Sequence, residues 1–228
     1  MKGTRVVRIL SLWLRRVVLL APIPLLLVAS IPRFQGGLAV DAAFPVPVYA
    51  VLNVPLPATS YRAAADVLAK ADSRDGPSLI ARAEMASLAG NPPERVLDLL
   101  RDGLSRSPAS VRGWSLLAEQ LETQDRMQAG AALAHSLLLG PREYFIAGKR
   151  SRAAALLWDE LPADAREAAL SQTRLLWTEL VLHPEIGPML TRSGGAELMK
   201  RAFQNDPEQL RALNRWLAEE RRRAAAKQ

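Results

Sequence analysis

The amino-acid sequence predicts an all-α chain in which an N-terminal transmembrane helix precedes a body of short, paired helices. Three observations carry that prediction. From Ser60 onward apolar residues recur at three- and four-residue spacing, and no stretch alternates as a half-buried strand does. Residues 17–32, VVLLAPIPLLLVASIP, carry no charge and follow a basic segment. Prolines and glycines, among them Pro77, Gly90, Pro92, Pro93, Pro108, Pro141 and Pro162, break the body at helix-length intervals.

The first segment, residues 1–34, is where the charge lies. Lys2, Arg5, Arg8, Arg15, Arg16 and Arg33 are basic, and no acid appears before Asp41. Of 30 basic and 23 acidic residues, 24 and 23 belong to the rest of the chain, which is therefore nearly neutral. The net charge of +7 thus records a cluster beside an apolar run, a topology signal rather than a nucleic-acid surface. No nucleic-acid partner is expected.

As a helix, residues 17–32 would span ~24 Å against a hydrocarbon core of ~30 Å. Arg15 and Arg16 extend the span by snorkelling, and Trp13 falls where an interfacial aromatic sits. Pro22 and Pro24 would kink it, which membrane helices tolerate. A cleaved secretory signal shares this design, with Val28 and Ser30, or Val40 and Ala42, before the cut. Pro32 directly after the first site, and the downstream place of the second, favour an uncleaved signal anchor. A buried helix of a soluble protein would not need the basic flank. The positive flank puts residues 1–16 in the cytoplasm and the body beyond the membrane. An Arg-heavy composition, 25 Arg to 5 Lys, fits a GC-rich bacterium, so the expected location is the inner membrane with a periplasmic domain.

Residues 35–59 form a Pro-rich apolar connector. Prolines 45, 47, 55 and 57 exclude a continuous helix and push Phe44, Val46, Val54 and Leu56 towards extended backbone. With Asp41 its one charge, the segment is too apolar for a flexible linker. Its side chains need a surface: the helical body, the bilayer or another protein. Phe44, Tyr49, Val51 and Leu52 are therefore candidate partner-binding residues, and their place beside the membrane points to an integral membrane protein.

The body covers residues 60–228. Ser60 is expected to cap a helix reaching about Ala71, with Tyr61, Ala65 and Leu68 on one face. Pro77 and Ser78 open the next, with Leu79, Ala83 and Ala86 before the stop at Gly90-Asn91. Pro92-Pro93 begin its partner, with Val96, Leu100 and Gly103 before Pro108. From Val111, residues Trp114, Leu117, Ala118 and Leu121 follow a large, large, small, large spacing. Ala129, Leu133, Ser136 and Pro141 come after, and Trp114 stands six residues beyond Pro108.

This pattern resembles a tetratricopeptide repeat, with the turn one residue shorter and with Arg82 and Val96 departing from it in the preceding pair. The resemblance implies an α-solenoid in which each helix pair buries its apolar face on its neighbours. It also implies a protein-binding role without catalysis. For an anchored extracytoplasmic protein of that build, the expectation is a scaffold in envelope or exopolysaccharide assembly and secretion. The second reading is a non-catalytic accessory subunit docked on a polytopic membrane enzyme or translocon.

After Pro141 the register changes. Gly148, Ala153 and Leu157 fit a turn followed by a helix. LLWDEL at 156–161 and LLWTEL at 175–180 predict two helices with matched faces, broken at Leu161-Pro162, the second ending at His183-Pro184. Gly187-Pro188 and Gly194-Gly195 bound short pieces. Asp206-Pro207-Glu208 starts a last helix carrying Leu210, Leu213, Trp216 and Leu217, whose charged tail suits a solvent-facing cap.

Chemistry is sparse. There is no cysteine, hence no disulfide or thiolate site. His135 and His183 lack ligand-spaced partners, so no metal helix is expected; His183, at a helix end, suits free carbonyls instead. No phosphate loop or nucleophile elbow occurs, and no cofactor is expected. Asp159-Glu160 and Glu219-Glu220 read as solvated faces, and Trp114, Trp158, Trp177 and Trp216 as packing residues.

Overall fold

A computed structural model describes residues 56–70 and 74–225, together with Leu38, Ala43 and Val46. The described residues form ten α-helices and three 3₁₀ turns, with no strand among them. Residues 1–34 lie outside the described residues, and no described helix is long and apolar enough to cross a membrane.

Helix α1 is Ala58–Lys70. Ser60 is not its cap but already inside the first turn, because its N–H bonds the Pro57 carbonyl at 2.9 Å. Helix α2, Gly76–Leu88, is capped by Asp75, whose Oδ1 accepts from Ser78 N at 3.0 Å, with Pro77 in the first turn. It ends where Gly90 turns left-handed (φ 78°) and Asn91 N reaches back to the Ala86 carbonyl. Helix α3 is Pro93–Arg106, opened by its proline as expected. Helices α4, Val111–Leu121, and α5, Arg126–Leu139, start on Ser110 and Asp125, each accepting a backbone N–H at 3.0–3.1 Å.

Beyond α5 the helices shorten. Helix α6 is Ala147–Leu156, entered through a 3₁₀ turn at Tyr144–Ile146, so Gly148 lies in the helix rather than in a turn before it. Its missing side chain admits Glu185, on which any Cβ would collide. A second 3₁₀ turn, Trp158–Glu160, leads to α7, Ala163–Thr178. LLWDEL therefore lies mostly in a turn, because α6 is spent at Leu156, while LLWT closes α7. The 3₁₀ run Leu180–Glu185 contains His183-Pro184 and passes into α8, Ile186–Leu190, which encloses Gly187-Pro188 instead of being bounded by it. Helices α9, Gly195–Ala202, and α10, Pro207–Ala225, begin where the sequence places them; Asp206 Oδ1 accepts from Gln209 N at 3.0 Å.

Successive helices pack as antiparallel neighbours: α1 on α2, α2 on α3, α3 on α4, α4 on α5, α6 on α7. Helices α2, α4 and α6 lie side by side, and α5 and α7 stack behind them. Alanines Ala83, Ala118, Ala129, Ala154, Ala165 and Ala169 are wholly buried where helices cross. Small residues at crossings bring helix axes close, so leucines such as Leu100, Leu133 and Leu176 fill the space between layers. Burial of each such leucine stabilises the fold by about 1.5–3 kcal/mol.

The core has two parts. The larger runs from Ile80 to Leu213. The smaller joins Tyr61, Ala64, Ala65 and Leu68 of α1 to Met85 and Ala89 on the other side of α2. Ala43 is buried in this smaller core, with Val46 and Leu56 against it, and Leu56 N donates to Tyr61 Oη at 3.2 Å. Ala43, Val46 and Leu56 of the connector thus pack on its own helical body, whereas Leu38 is exposed. Val46 is helical despite preceding Pro47, because the restriction before proline is a bias that burial can outweigh. Phe44, Tyr49, Val51 and Leu52 lie outside the described residues.

Candidate partner-binding surfaces

The residues of the Trp114 pattern meet at the α4–α5 contact. Leu117, Ala118, Leu121, Ala129 and Leu133 are buried, and Ser136 Oγ donates to the Val111 carbonyl at 2.9 Å. Trp114 is half-buried, its indole N–H donating to the Pro108 carbonyl at 2.7 Å, which accounts for the six-residue spacing. His135 is exposed and lies on the Trp114 ring, centroids 4.7 Å apart. Pro141 is exposed just after α5. These residues set packing; none lines either of the two clefts described below.

A polar seam runs along the face made by α2, α4 and α6. Glu84, buried on α2, pairs with Arg112 on α4, and Gln120 of α4 donates to Ser87 Oγ of α2 at 3.0 Å. Further along, Glu119 of α4 and Glu122 at its C-terminal cap face Lys149 and Arg152 of α6 across a shallow groove closed by Arg192. Arg192 lies 3.5 Å from Glu122, and Arg152 pairs with Glu185. Burial pushes the Glu122 carboxyl up from its ordinary pKa, with Arg192 opposing that shift. The enclosed part of the groove holds about 30 Å³, room for a water and not for a metabolite.

A larger cleft, about 310 Å³, opens between the start of α5, the end of α6 and the start of α9. Trp158 forms one wall, with the Arg201 and Arg166 guanidinium carbons 4.8 and 5.7 Å from its ring centre. Arg126 binds Glu160 at 2.6 Å and the Leu156 carbonyl at 2.7 Å. The Arg126 hydrogen bond holds the Glu160 carboxyl below its usual pKa. No nucleophile beside a base lines this cleft, and the described residues contain no His, Asp and Glu group able to hold a metal.

At the opposite end of the same helices the surface is apolar. Leu138, Leu139, Tyr144 and Phe145 stand exposed where α5 gives way to α6, and Leu180 and Val181 where α7 ends. Phe145 is 63% exposed, Leu180 80% and Val181 78%. The helix ends beneath them are capped from inside. Arg150, wholly buried on α6, donates to the Ser136 and Gly140 carbonyls of α5 and to Gln172 of α7. His183 Nε2 meets the Trp177 carbonyl at 2.8 Å, as the sequence led us to expect of a donor there, and its ring stacks on Trp177.

Sequence reading missed Arg150 and the exposed apolar end. In AGKRSRAAAL nothing sets Arg150 apart from Lys149 and Arg152, and Leu180-Val181 continue an apolar stretch. Only the packing of α5, α6 and α7 distinguishes them. The fold and its surfaces define an all-α protein of packed neighbouring helices, compatible with a helical repeat. No protein-family model, curated protein or solved structure matches this chain.

Proposed function

We propose that this protein is a tetratricopeptide-like, membrane-anchored extracytoplasmic scaffold that holds partner proteins, in envelope or exopolysaccharide assembly and secretion. The observation behind this reading is the polar seam of α2, α4 and α6. Its groove presents Glu119, Glu122, Lys149, Arg152 and Arg192, both signs of charge, on a surface too shallow for a small molecule. A polypeptide laid across the helices is the ligand that such a surface suits. The basic, apolar N-terminus supports the anchor, and the inner membrane facing the periplasm is the proposed location.

The second reading, a non-catalytic subunit docked on a polytopic membrane enzyme or translocon, rests on the apolar connector. In-cell crosslinking of the full-length, C-terminally tagged chain, followed by mass spectrometry, separates the two. Under the scaffold reading, Glu119→Lys with Lys149→Glu removes the captured proteins. Under the subunit reading, Tyr49, Val51 and Leu52 replaced by Asp removes one membrane protein captured in near-equal amount. Capture that survives both sets of substitutions rejects both readings.

A further inference from the structure

We infer that the helical body carries a buried site for a single chloride ion, held between Arg150 of α6 and Gln172 of α7. Four buried side-chain atoms find no hydrogen-bond partner among the described residues, and two of them belong to this one contact: Nε of Arg150 and Nε2 of Gln172. Both side chains are wholly buried. Each of the two nitrogens carries N–H bonds, and neither can accept. What the contact lacks is therefore an acceptor.

The shape of the guanidinium explains the shortage. Its Nη1 side is satisfied, donating to the Ser136 and Gly140 carbonyls of α5. Nε–H and Nη2 share another edge, the one that a carboxylate fills with two oxygens. Gln172 presents one oxygen to Nη2 and, on the same amide, a nitrogen with protons of its own. The path from Nε through Nη2 and the amide oxygen to Nε2 is three short steps, bent at each atom, so one acceptor beside it reaches both open nitrogens.

Charge selects an anion. Burial leaves the guanidinium protonated at neutral pH, and among the described residues no carboxylate is bonded to it; Glu143 acts on it only through space. A buried charge is ordinarily paired. A water would accept from two of the open N–H groups but bring two protons of its own, and the charge would stay unpaired. A halide brings no proton, accepts from every side and cancels the charge. Enclosure sets its size: the seam groove and the Trp158 cleft are lined by other residues, so a one-atom ion fits where a phosphate or an organic acid does not. The ion joins α5, α6 and α7 at one point. Lys149 and Arg152 of the seam groove stand either side of Arg150 on α6, so the seating of that helix also places them.

The test is thermal unfolding of the full-length chain in non-ionic detergent, followed by circular dichroism, as sodium gluconate is exchanged for sodium chloride at constant ionic strength. The wild type is expected to melt several degrees higher in chloride, since a ligand that binds only the folded state raises Tm. Gln172→Glu supplies the second oxygen of the open edge. It is expected to melt equally in the two salts, and no lower than the wild type does in gluconate. Arg150→Met, folded but less stable, is expected to lose the chloride response as well. In crystals grown with bromide, which replaces chloride and scatters anomalously, a signal is expected beside Arg150 Nε and Gln172 Nε2. A wild type that melts equally in both salts overturns the inference and leaves these nitrogens to water. So does a chloride response that either variant retains, which would mark a surface effect of the salt, or a bromide signal found only at the surface.

Discussion

The guanidinium of Arg150 donates to the side-chain oxygen of Gln172 inside the helical body, with neither residue exposed to solvent. No carboxylate lies in bonding reach of the guanidinium, and burial lowers its pKa to about 10, with Glu143 opposing the shift. The charge is held by acceptors alone: the amide of Gln172 and the carbonyls of Ser136 and Gly140. One side chain thereby closes the end of α5 and fixes α6 against α7.

Arg150→Met removes a buried charge but strands two acceptors, the Gly140 carbonyl and the Gln172 amide oxygen, while the Ser136 carbonyl keeps the Gly140 N–H. Each buried unsatisfied group costs about 1–3 kcal/mol. After relief of the charge, a net loss of about 2–4 kcal/mol is expected in chemical denaturation followed by circular dichroism. Adding Gln172→Leu should restore part of it. A single variant as stable as wild type would show that these acceptors find water.

Acid should act on two glutamates in opposite directions. Glu160, held low by Arg126, contributes stability that is present above the ordinary carboxylate range and lost as pH falls through its folded pKa. Glu122, raised by burial, contributes stability present below its unfolded pKa and lost as pH rises through the folded one. Arg126→Met should therefore lower Tm more at neutral pH than in acid. Glu122→Gln should match or exceed the wild type at neutral pH. A Glu122→Gln variant that melts lower there would mean that Arg192 outweighs burial.

Gly90 and Gly194 share φ 78° but not their surroundings. A Cβ at Gly90 meets nothing, whereas at Gly194 it would overlap the Ala155 carbonyl oxygen. Alanine at Gly90 should cost about 1–2 kcal/mol, the left-handed backbone alone. At Gly194 a further ~1–3 kcal/mol is expected as the entrance to α9 is forced off α6. Equal losses would mean that this entrance yields freely.

Glu84 and Arg112 join α2 to α4 across the polar seam. A double-mutant cycle with Glu84→Gln and Arg112→Met should return a coupling of about 0.5–3 kcal/mol. Ser87→Ala with Gln120→Ala, a neutral pair on the same seam, should return about 1 kcal/mol or less. A zero coupling for the charged pair would remove it as a link between successive helix pairs.

How far these features can be read from sequence depends on where their causes lie. Trp114, Leu117, Ala118 and Leu121 announce the α4–α5 contact because their spacing is that of the helix face they fill. Pro93 and Pro207 mark helix starts through a local rule, the absent N–H. Asp75, Ser110 and Asp125 cap helices by equally local bonds and were legible in principle; at Asp75 the neighbouring Pro77 drew the boundary instead. After Pro141 the causes become tertiary. The two Leu-Leu-Trp stretches are buried alike through Glu160 and Glu179, yet one lies in a turn and the other ends a helix. Leu161 then goes inside and Leu180 outside, which depends on what packs beside each.

The smaller core has a mechanical meaning. Among the described residues, helix α1 packs on Met85, Ala89 and Ala81 and on Ala43, Val46 and Leu56 of the connector, while Ile80, Ala83 and Ala86 of α2 belong to the larger core. Ala43, Val46 and Leu56, which precede α1, belong to the same smaller core. A pull arriving from the N-terminal side loads the α1–α2 contact before it reaches any leucine of the main core. Helix α1, with the connector residues packed on it, would peel away first and leave the larger core intact.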